Sequence, residues 1–302
     1  MLWGLVMQKK IAPLLIILAA CLWGVLGIFV RRFNEFGVES MSIVFIRAVL
    51  TSPMAAIIAA VTDVKQLKLR LRDIWIFAGM GLLSIVFFNF CYFTAISMMS
   101  ISIAAILLYT APVFVMAMSA IIYKEKITIR KLAAMVVIMA GLVLVTGAYS
   151  GGFSVTPAGI LYGLGSAFGY ALYSIFNRAA IDRGYKPFAV TAWGFGFAAL
   201  FSAFLADMGA IGKMVSVRPS MVGFAVLFAA VTSAAPYILY SAGLKYTETG
   251  KAAIYSSIEP AAAAVFGMIF CNEKLTVPAV LGAAMILAAS ALCSSSSEKE
   301  KA

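Results

Sequence analysis

The sequence predicts an all-α integral membrane protein whose two halves repeat one structural unit. Hydrophobic residues make up 64% of the 302-residue chain and charged residues only 12%, whereas soluble domains contain roughly 45–50% apolar residues. Apolar runs of about 20 residues, the length of helix that spans a bilayer, recur along the chain. A segment of the first half also returns in the second half, and internal repeats constrain a fold strongly.

The repeat is clearest between residues 104–128 and 252–276, which align without a gap. The spacing of 148 positions is about half the chain length, so one unit is used twice. The identical pairs are Ala104/Ala252, Ala105/Ala253, Ile106/Ile254, Pro112/Pro260, Ile121/Ile269, Glu125/Glu273, Lys126/Lys274 and Thr128/Thr276.

Ten apolar segments are predicted to be transmembrane helices, five in each half. The first half (1–148) and the second (157–293) are joined by an uncharged connector, 149–156, and a polar tail, 294–302, is predicted to be disordered. The ten segments are 11–31, 40–61, 73–95, 101–123, 129–148, 157–178, 187–208, 220–243, 250–270 and 277–293.

The distribution of lysine and arginine predicts the orientation. If the N-terminus is cytoplasmic, 17 of the 23 basic residues fall on the cytoplasmic side, five fall outside, and Arg47 lies within a helix. Because positive residues are retained on the cytoplasmic side, both termini are predicted to be cytoplasmic. A unit with an odd number of spans then inserts its second copy upside down, so we expect two inverted five-helix repeats.

Several function classes have no support in the sequence. Histidine is absent, and four isolated cysteines complete no metal site; they are Cys21, Cys91, Cys271 and Cys293. No nucleophile–base pair can be named, and no GxxxxGK[ST] motif is present for ATP. The basic residues are scattered singly between apolar runs, unlike a nucleic-acid stripe. We therefore expect no enzyme activity, cofactor, metal or nucleic-acid partner.

Pro112 and Pro260 occupy matching, central positions in the fourth and ninth predicted helices. Proline removes a backbone hydrogen bond and clashes with the preceding turn, so each helix should kink there. One interpretation is a pair of symmetric hinges that gate a central path. The other is a pair of static kinks that help the helices to pack.

Glu259 and Arg47 are the two ionisable residues well inside predicted spans. A charge at the bilayer centre costs at least about 2.5 kcal/mol, so such residues usually face a cavity or each other. Glu259 could bind a substrate amine or carry a proton, and Arg47 could hold a carboxylate. Alternatively, the two neutralise each other and do not contact substrate.

Aromatic and amide side chains near helix centres form a further candidate set. An apolar cavity with a few oriented polar groups suits a small amphipathic solute, although such a residue taken singly is more often a packing residue than a cavity residue. The set is Trp23, Asn89, Tyr92, Tyr109, Tyr170, Tyr173, Asn177, Trp193, Tyr237, Tyr240 and Tyr255.

Small residues spaced four apart, Ala20/Gly24 and Gly165/Gly169, predict close helix contacts. We expect these contacts within one chain, and hence a monomer or a weak homodimer. Glu125 and Glu273, which follow the fourth and ninth helices, are expected to cap the helix after each.

The second half resembles the EamA-type transporters of the drug/metabolite transporter superfamily, through Glu259-Pro260, Glu273-Lys274-Leu275-Thr276 and Gly282-Ala283-Ala284. The first half resembles them more loosely, through Trp23-Gly24, Arg47, Pro112 and residues 124–128. The resemblance implies a carrier in the bacterial inner (plasma) membrane with a small-molecule substrate, commonly an exporter of amino acids or other metabolites. Ala111 stands where the second half has Glu259, so a carboxylate role is unpaired.

Three functions remain open from the sequence. The first is a secondary exporter of amino acids or related metabolites that works by alternating access, with protons as a candidate coupling ion. The second is an importer or drug-efflux carrier on the same scaffold, because direction depends on gradients and coupling. The third is an intramembrane enzyme or lipid-handling protein, which the absence of catalytic clusters disfavours.

Overall fold

The computed structural model describes residues 2–150, 155–271 and 276–299, with side chains from residue 10 to residue 293 of these ranges. All regular structure within them is helical. Residues 151–154 of the predicted connector, Glu273 and Lys274 of the repeat, and the end of the predicted tail lie outside the described residues.

In each half the described helices follow the order of the five predicted spans; some of them are interrupted, and the second half has an additional short helix between its second and third spans. The helices of the first half are α1 (Leu2–Gly24), α2 (Leu26–Asn34), α3 (Ser40–Asp63), α4 (Ile74–Gly81), α5 (Phe88–Met98), α6 (Ile101–Leu108), α7 (Ala111–Ile122) and α8 (Ile129–Val145). Those of the second half are α9 (Pro157–Asp182), α10 (Pro187–Ser202), α11 (Met208–Val217), α12 (Ser220–Ala229), α13 (Ala235–Leu244), α14 (Thr249–Ser256), α15 (Glu259–Cys271) and α16 (Val277–Lys299).

Seven helical stretches in the described residues are long and apolar enough to cross a membrane, so the predicted number of ten is not confirmed. The predicted spans at 129–148 and 187–208 correspond to shorter helices, α8 with 17 residues and α10 with 16. In α16 the apolar part is Val277–Cys293. At 1.5 Å per residue, α8 reaches about 25 Å, less than the roughly 30 Å hydrocarbon core. The seven stretches are Lys10–Asn34, Ser40–Leu67, Leu71–Met98, Ile101–Ile122, Pro157–Asp182, Ser220–Leu244 and Thr249–Cys271.

Two boundaries differ from the sequence prediction. The span predicted to reach 208 ends at Ser202, and the separate helix α11 follows, with the Asp207 carboxylate accepting a hydrogen bond from the Ala210 amide at 2.9 Å. The last helix continues to Lys299, past residue 293 where a disordered tail was predicted. Glutamate and lysine are good helix formers, which favours this extension.

The third helical segment of each half contains a π-helical turn. Residues Leu82–Phe87 connect α4 to α5, and Ala230–Ala234 connect α12 to α13. The two turns begin 148 positions apart, so the sequence repeat carries this irregularity with it. π-turns are rare and frequently occur at functional sites.

The fourth segment of each half is broken at the equivalent point. Tyr109 and Thr110 separate α6 from α7, and Ser257 and Ile258 separate α14 from α15. Each new helix begins one residue before its proline. At the start of a helix the backbone N–H has no intrahelical acceptor, so the N–H that proline lacks costs no hydrogen bond there. Pro112 and Pro260 therefore start helices instead of kinking continuous ones.

Counterpart helices of the two halves pack against each other, α3 with α10 and α8 with α16. The α3–α10 pair is antiparallel: the Trp193 indole near the start of α10 donates to the Leu67 carbonyl at 3.1 Å, and the Asp207 amide donates to the Ser42 hydroxyl at 2.9 Å. Helix α1 packs on α13 and α14–α15, as α9 packs on α5 and α6–α7.

The glycines of the small-residue patterns contact neighbouring helices of the same chain. A Cβ at Gly169 would lie 2.9 Å from the Leu83 carbonyl oxygen, and one at Gly24 would lie 2.9 Å from the Ala263 nitrogen. Gly141 and Gly282 face each other where α8 crosses α16, and a Cβ on Gly141 would lie 2.7 Å from the Gly282 carbonyl oxygen. Only glycine permits these close approaches.

Candidate functional site

A small aromatic cavity lies between α1, α9, α13 and the first π-turn. The cavity has a volume of about 10 Å³, which is room for about one water molecule. The cavity sits where an interrupted helix of each half meets the first helix of a half, so both repeats contribute to it. Its walls are Trp23, Ser84, Phe88, Tyr170, Tyr173, Ser174, Tyr237 and Tyr240.

The aromatic walls hold one another in place through edge-to-face and tilted contacts. Ring centroids are 5.2 Å apart for Trp23 and Tyr237, 5.6 Å for Trp23 and Tyr240, and 4.9 Å for Tyr173 and Tyr237. Such pairs contribute about 0.5–1.5 kcal/mol each beyond the area they bury. The cavity is therefore bounded by mutually supported rings.

Two polar atoms of the cavity wall have no hydrogen-bond partner among the described residues. They are the Trp23 indole nitrogen and the Ser84 hydroxyl, both of them buried. A buried polar group without a partner costs about 1–3 kcal/mol, and native proteins rarely retain one without a reason. These two groups are available to a solute or a water molecule in the cavity.

Other polar groups beside the cavity are satisfied. The hydroxyls of Ser174 and Tyr240 are hydrogen-bonded at 2.7 Å, and the Asn177 amide donates to Ser241 at 2.7 Å and to the Tyr173 hydroxyl at 2.9 Å. This network ties α9 to α13 within the second half. It fixes Tyr173 and Tyr240 in the orientation that lines the cavity.

Arg47 is buried on α3 and reaches the second π-turn. Its guanidinium donates to the Ser233 hydroxyl at 2.9 Å and to the Tyr237 hydroxyl at 3.4 Å. It also lies over the rings of Phe195, at 6.0 Å, and Tyr237, at 5.8 Å. Its contacts are with hydroxyls and aromatic faces, so its charge has no adjacent carboxylate among the described residues.

Glu259 begins α15, next to the break in the ninth predicted span. Its side chain is half-buried and lies close to the Tyr109 and Tyr170 hydroxyls, with the Arg47 charge also within electrostatic range. Tyr170 belongs to the cavity wall, so Glu259 and the aromatic cavity are adjacent. The break at Ser257 and Ile258 permits this geometry because it ends one helix just before the carboxylate.

The structure places the predicted site residues in three groups. Trp23, Tyr170, Tyr173, Tyr237 and Tyr240 line the cavity. Arg47, Tyr92, Tyr109 and Glu259 lie around it, within electrostatic range or ring contact of its walls. Three others lie elsewhere: the Asn89 amide donates to the Ile85 carbonyl at 2.7 Å, Trp193 bonds to Leu67, and Tyr255 is buried in the hydrophobic core.

Three cavity residues were not predicted, Ser84, Phe88 and Ser174, nor was Ser233, which accepts a hydrogen bond from Arg47. Ser84 and Ser233 lie on the two π-turns, at nearly equivalent positions of the repeat. Nothing in the local sequence marks a π-turn, because both segments have the composition of an ordinary apolar helix. The internal repeat is the signal that could have paired these segments.

A polar clamp joins the halves at the end of the molecule that carries most of the basic loops, here called the basic end. The Glu125 carboxylate accepts hydrogen bonds from the Thr249 amide at 2.7 Å and from the Gly250 amide at 3.0 Å. These amides start α14, where free N–H groups and the helix dipole favour an anion. Glu125 thus caps a helix of the other half, while Thr128 caps the helix that follows Glu125. The sequence prediction for Glu125 was wrong.

A buried lysine completes the clamp. Lys131 has a 3% exposed side chain; it pairs with Glu248 at 2.7 Å and donates to the Lys126 carbonyl at 2.9 Å. Burial alone raises the pKa of Glu248, but the hydrogen bond and charge of Lys131 and the charge of Lys251 outweigh burial and lower the pKa below its usual value. Glu248 therefore stays ionised at neutral pH.

The comparisons with known proteins agree with a carrier fold. The model of the EamA-like transporter family matches twice, at residues 10–147 and 157–295, which cover nearly the whole chain. The chain belongs to the EamA-like transporter family. It is thus a multi-pass membrane protein of a transporter family, and the two family matches coincide with its two repeats.

Two relatives illustrate how far the EamA-like family match extends. An uncharacterized transporter of Archaeoglobus fulgidus is 30% identical over 279 residues, covering 90% of this chain and 92% of the relative. The uncharacterized inner membrane transporter YicL of Salmonella typhimurium is 22% identical over 291 residues, covering 94% and 95%. A solved crystal structure has the same fold, with a TM-score of 0.76, 18% identity and coverage of 96% of this chain and 99% of that one.

Proposed function

We propose that this EamA-like protein is a secondary exporter of amino acids or related small metabolites. The observation that carries the proposal is that an anionic and a cationic group both contact the wall of one aromatic cavity to which both repeats contribute: Glu259 lies close to Tyr170, and Arg47 donates to Tyr237. A cavity with apolar walls and a few oriented polar groups is typical of a small-molecule site.

The chemistry of these groups suits a zwitterion. An α-ammonium group would be attracted by the Glu259 carboxylate and by the faces of the surrounding rings. A carboxylate would bind the Arg47 guanidinium, in place of the hydroxyls of Ser233 and Tyr237. The unpartnered Trp23 indole N–H would donate to a polar atom of the solute.

Alternating access is supported by the arrangement of the repeats. Antiparallel contact between counterpart helices α3 and α10 is what inverted repeats produce. The cavity holds about one water, so a solute binds only after the halves move apart. The clamp around Glu125 closes the basic end, whereas a surface cavity of about 460 Å³ opens at the opposite end, between α3, α5 and the α10–α11 connection.

The finer topology is part of the same proposal. Ten crossings, with both termini in the cytoplasm, would place the basic end on the cytoplasmic side of a bacterial inner membrane. The helices outside the seven long apolar stretches, α8, α10 and α16, would then cross at positions where helices of the other half flank them. Protons are the proposed coupling ion, because Glu259 is a carboxylate beside the cavity that can be charged or neutral.

Flux measurements in proteoliposomes test the proposal. Purified protein is reconstituted, and flux of labelled amino acids is measured with and without a pH gradient for wild type and Glu259→Gln. We expect the substitution to reduce flux at least about tenfold, equivalent to about 1.4 kcal/mol, and to remove the response to the gradient. Wild-type flux with an unchanged pH response in Glu259→Gln would refute the role of Glu259.

The matched control is Glu35→Gln, an exposed glutamate that pairs with Arg32 and lines neither the aromatic cavity nor the surface cavity at the opposite end. It should transport normally. If wild-type protein moves none of the amino acids in either direction, the substrate proposal fails. Uptake that requires an inward gradient would make the protein an importer instead of an exporter.

A further inference from the structure

Cationic side chains from both repeats surround a surface cavity at the basic end. The cavity has a volume of about 250 Å³ and lies between the segment that follows α3 and the turn between α9 and α10. It is separate from the aromatic cavity, and nothing in the proposed transport mechanism uses it. Its charged lining residues are Lys65, Lys68, Arg70, Arg183, Lys186 and Asp63.

The floor of this cavity is ordered by buried groups. The Tyr185 hydroxyl accepts a hydrogen bond from the Arg70 amide at 3.1 Å and donates to the Asp73 carboxylate at 3.0 Å. Asp73 is 2% exposed, and Arg183 pairs with it at 3.3 Å. The Arg70 guanidinium donates to the Arg183 carbonyl at 3.3 Å. These bonds fix the two loops relative to each other.

The charge at the cavity is not balanced. Among the described residues, Lys65, Lys68 and Lys186 form no ion pair, and Asp63 accepts only the Lys65 backbone amide. Four of the five cations therefore face the cavity without a carboxylate partner, since Arg183 alone has one. Clustered like charges repel one another unless an anion lies between them.

Exposed apolar side chains lie next to cationic residues of the cavity. Leu71, which follows Arg70, is 86% exposed; Trp75 is 54% exposed, and the Arg183 guanidinium lies over its ring at 5.6 Å. A tryptophan with exposed apolar neighbours is typical of the boundary between headgroups and acyl chains. Arg70 and Arg183 thus have neighbours that suit the surface of a membrane.

We propose that this cavity binds a phosphate-bearing anion, with the headgroup of an anionic phospholipid as the favoured source. Ammonium and guanidinium groups supply the charge-assisted hydrogen bonds that a phosphate accepts. The volume is below the roughly 300 Å³ at which sites for larger solutes begin. A bound headgroup would hold the two loops, one from each repeat, at the basic end.

Binding to purified full-length protein tests this inference without measuring transport. Short-chain phosphatidylglycerol, short-chain phosphatidylcholine and inorganic phosphate are titrated separately, with the thermal midpoint and the lipid retained in native mass spectra as readouts. The test variant is Lys68→Gln/Lys186→Gln, and the control is Lys213→Gln/Arg218→Gln, two exposed basic residues near α11.

We expect phosphatidylglycerol to stabilise wild type and the control equally, and to bind the test variant at least about tenfold more weakly, because two charge-assisted contacts are lost. Phosphatidylcholine should have little effect. Displacement of phosphatidylglycerol by inorganic phosphate would support a phosphate-binding site, and would identify a soluble phosphate compound, instead of a lipid headgroup, as its ligand. Equal losses in test and control variants, or no preference for the anionic lipid, would overturn the proposal.

If the double variant is unstable without lipid, Lys65→Gln replaces it, since that exposed side chain makes no contact on which the described fold depends. It should weaken binding in the same direction by a smaller factor. Because lipid binding is read directly, a transport-inactive protein can still confirm the site, and a transporting protein can still fail the test.

Discussion

The two broken helices, α6–α7 and α14–α15, are copies of one sequence segment but are held differently at their starts. Ser100 caps α6 locally, its hydroxyl accepting from the Ile103 amide at 3.3 Å. Helix α14 instead starts against Glu125, a residue of the other repeat. The start of α6 is thus capped by a residue of its own segment, and the start of α14 by a residue of the other half. The two halves share their helices, but the contacts that hold the broken helices differ between the two ends of the molecule.

The copies also differ at the break itself. The first resumes with Ala111 and the second with Glu259, although both continue into proline. A carboxylate is therefore present at one of the two breaks only. Duplication supplied two equivalent positions, and only one of them carries charge.

The largest loss of stability is expected at the crossing of α8 and α16, where counterpart helices of the two halves meet. Gly282→Ala places a Cβ against the Gly141 carbonyl oxygen, and Gly141→Ala does the reverse. We expect each to destabilise the protein by about 3 kcal/mol, because neither backbone can move away. Chemical or thermal unfolding in detergent measures the loss.

Gly223→Ala is the control for these variants, since a Cβ at this helical glycine meets nothing within 4 Å. It should stabilise by about 1 kcal/mol through helix propensity. Tolerance of alanine at Gly141 but not at Gly282 would show that the halves contribute unequally to their contact.

The anchoring difference is tested by Glu125→Ala and Ser100→Ala. Removing Glu125 leaves the amides of Thr249 and Gly250 without an acceptor, for an expected loss of about 2 kcal/mol. Removing the local Ser100 cap should cost about 1 kcal/mol. The free energy of unfolding is measured for both variants. Glu39→Ala is the control, because the Glu39 side chain makes no capping hydrogen bond. Equal losses from Glu125→Ala and Glu39→Ala would contradict the clamp.

The prolines test whether the two breaks act alike. Pro112→Ala and Pro260→Ala each restore an N–H that can extend the helix across the break. One added hydrogen bond contributes about 1 kcal/mol, which shifts an equilibrium between broken and continuous helices about fivefold. Flux should change by about that factor in both variants. Unchanged flux in both would leave the breaks as static packing features.

The smallest effect is a pH dependence of the clamp. The pKa of Glu248 is lowered in the folded protein, so its contribution is complete above the usual value of 4.5 and is lost as the pH falls through the lowered pKa. Because the Glu248 side chain is 45% exposed, we expect no more than about 1 kcal/mol. The acid-induced loss of stability should be smaller in Glu248→Gln. An identical pH profile in that variant would exclude Glu248 as the titrating group.

Much of this architecture follows from the sequence because it depends on periodic or repeated features. The apolar content predicts a membrane protein, and the offset of 148 positions predicts which helices are counterparts. Prolines at matching positions predict an irregularity in each fourth segment, although the predicted kink is a break at which a new helix starts. Trp23, Tyr170, Tyr173 and Tyr240 could be selected because polar aromatic residues in the middle of an apolar helix are conspicuous.

The remaining features depend on contacts that sequence spacing does not contain. Trp193 and Tyr255 have the same residue type and depth as the cavity residues, but the rotation of their helices directs them to a loop and to the core. Ser84 lies in a segment with the composition of an ordinary apolar helix. It lines the cavity because of the π-turn and the packing of neighbouring helices, which the sequence does not show. Glu125 caps a helix 124 residues away, a partner that local capping rules cannot identify.

The paired π-turns let each third segment hold an extra residue without turning the helix that follows. Each residue of an α-helix rotates the chain by about 100°, and a π-turn absorbs one added residue as a local widening, so the helices on its two sides keep nearly the phase of a continuous helix. Phe88 directly follows Leu82–Phe87, Tyr237 lies shortly after Ala230–Ala234, and both line the cavity. Insertion of a further residue after Ala234, where no turn absorbs it, would rotate the rest of α13 by about 100° and move Tyr237 and Tyr240 out of the cavity wall together.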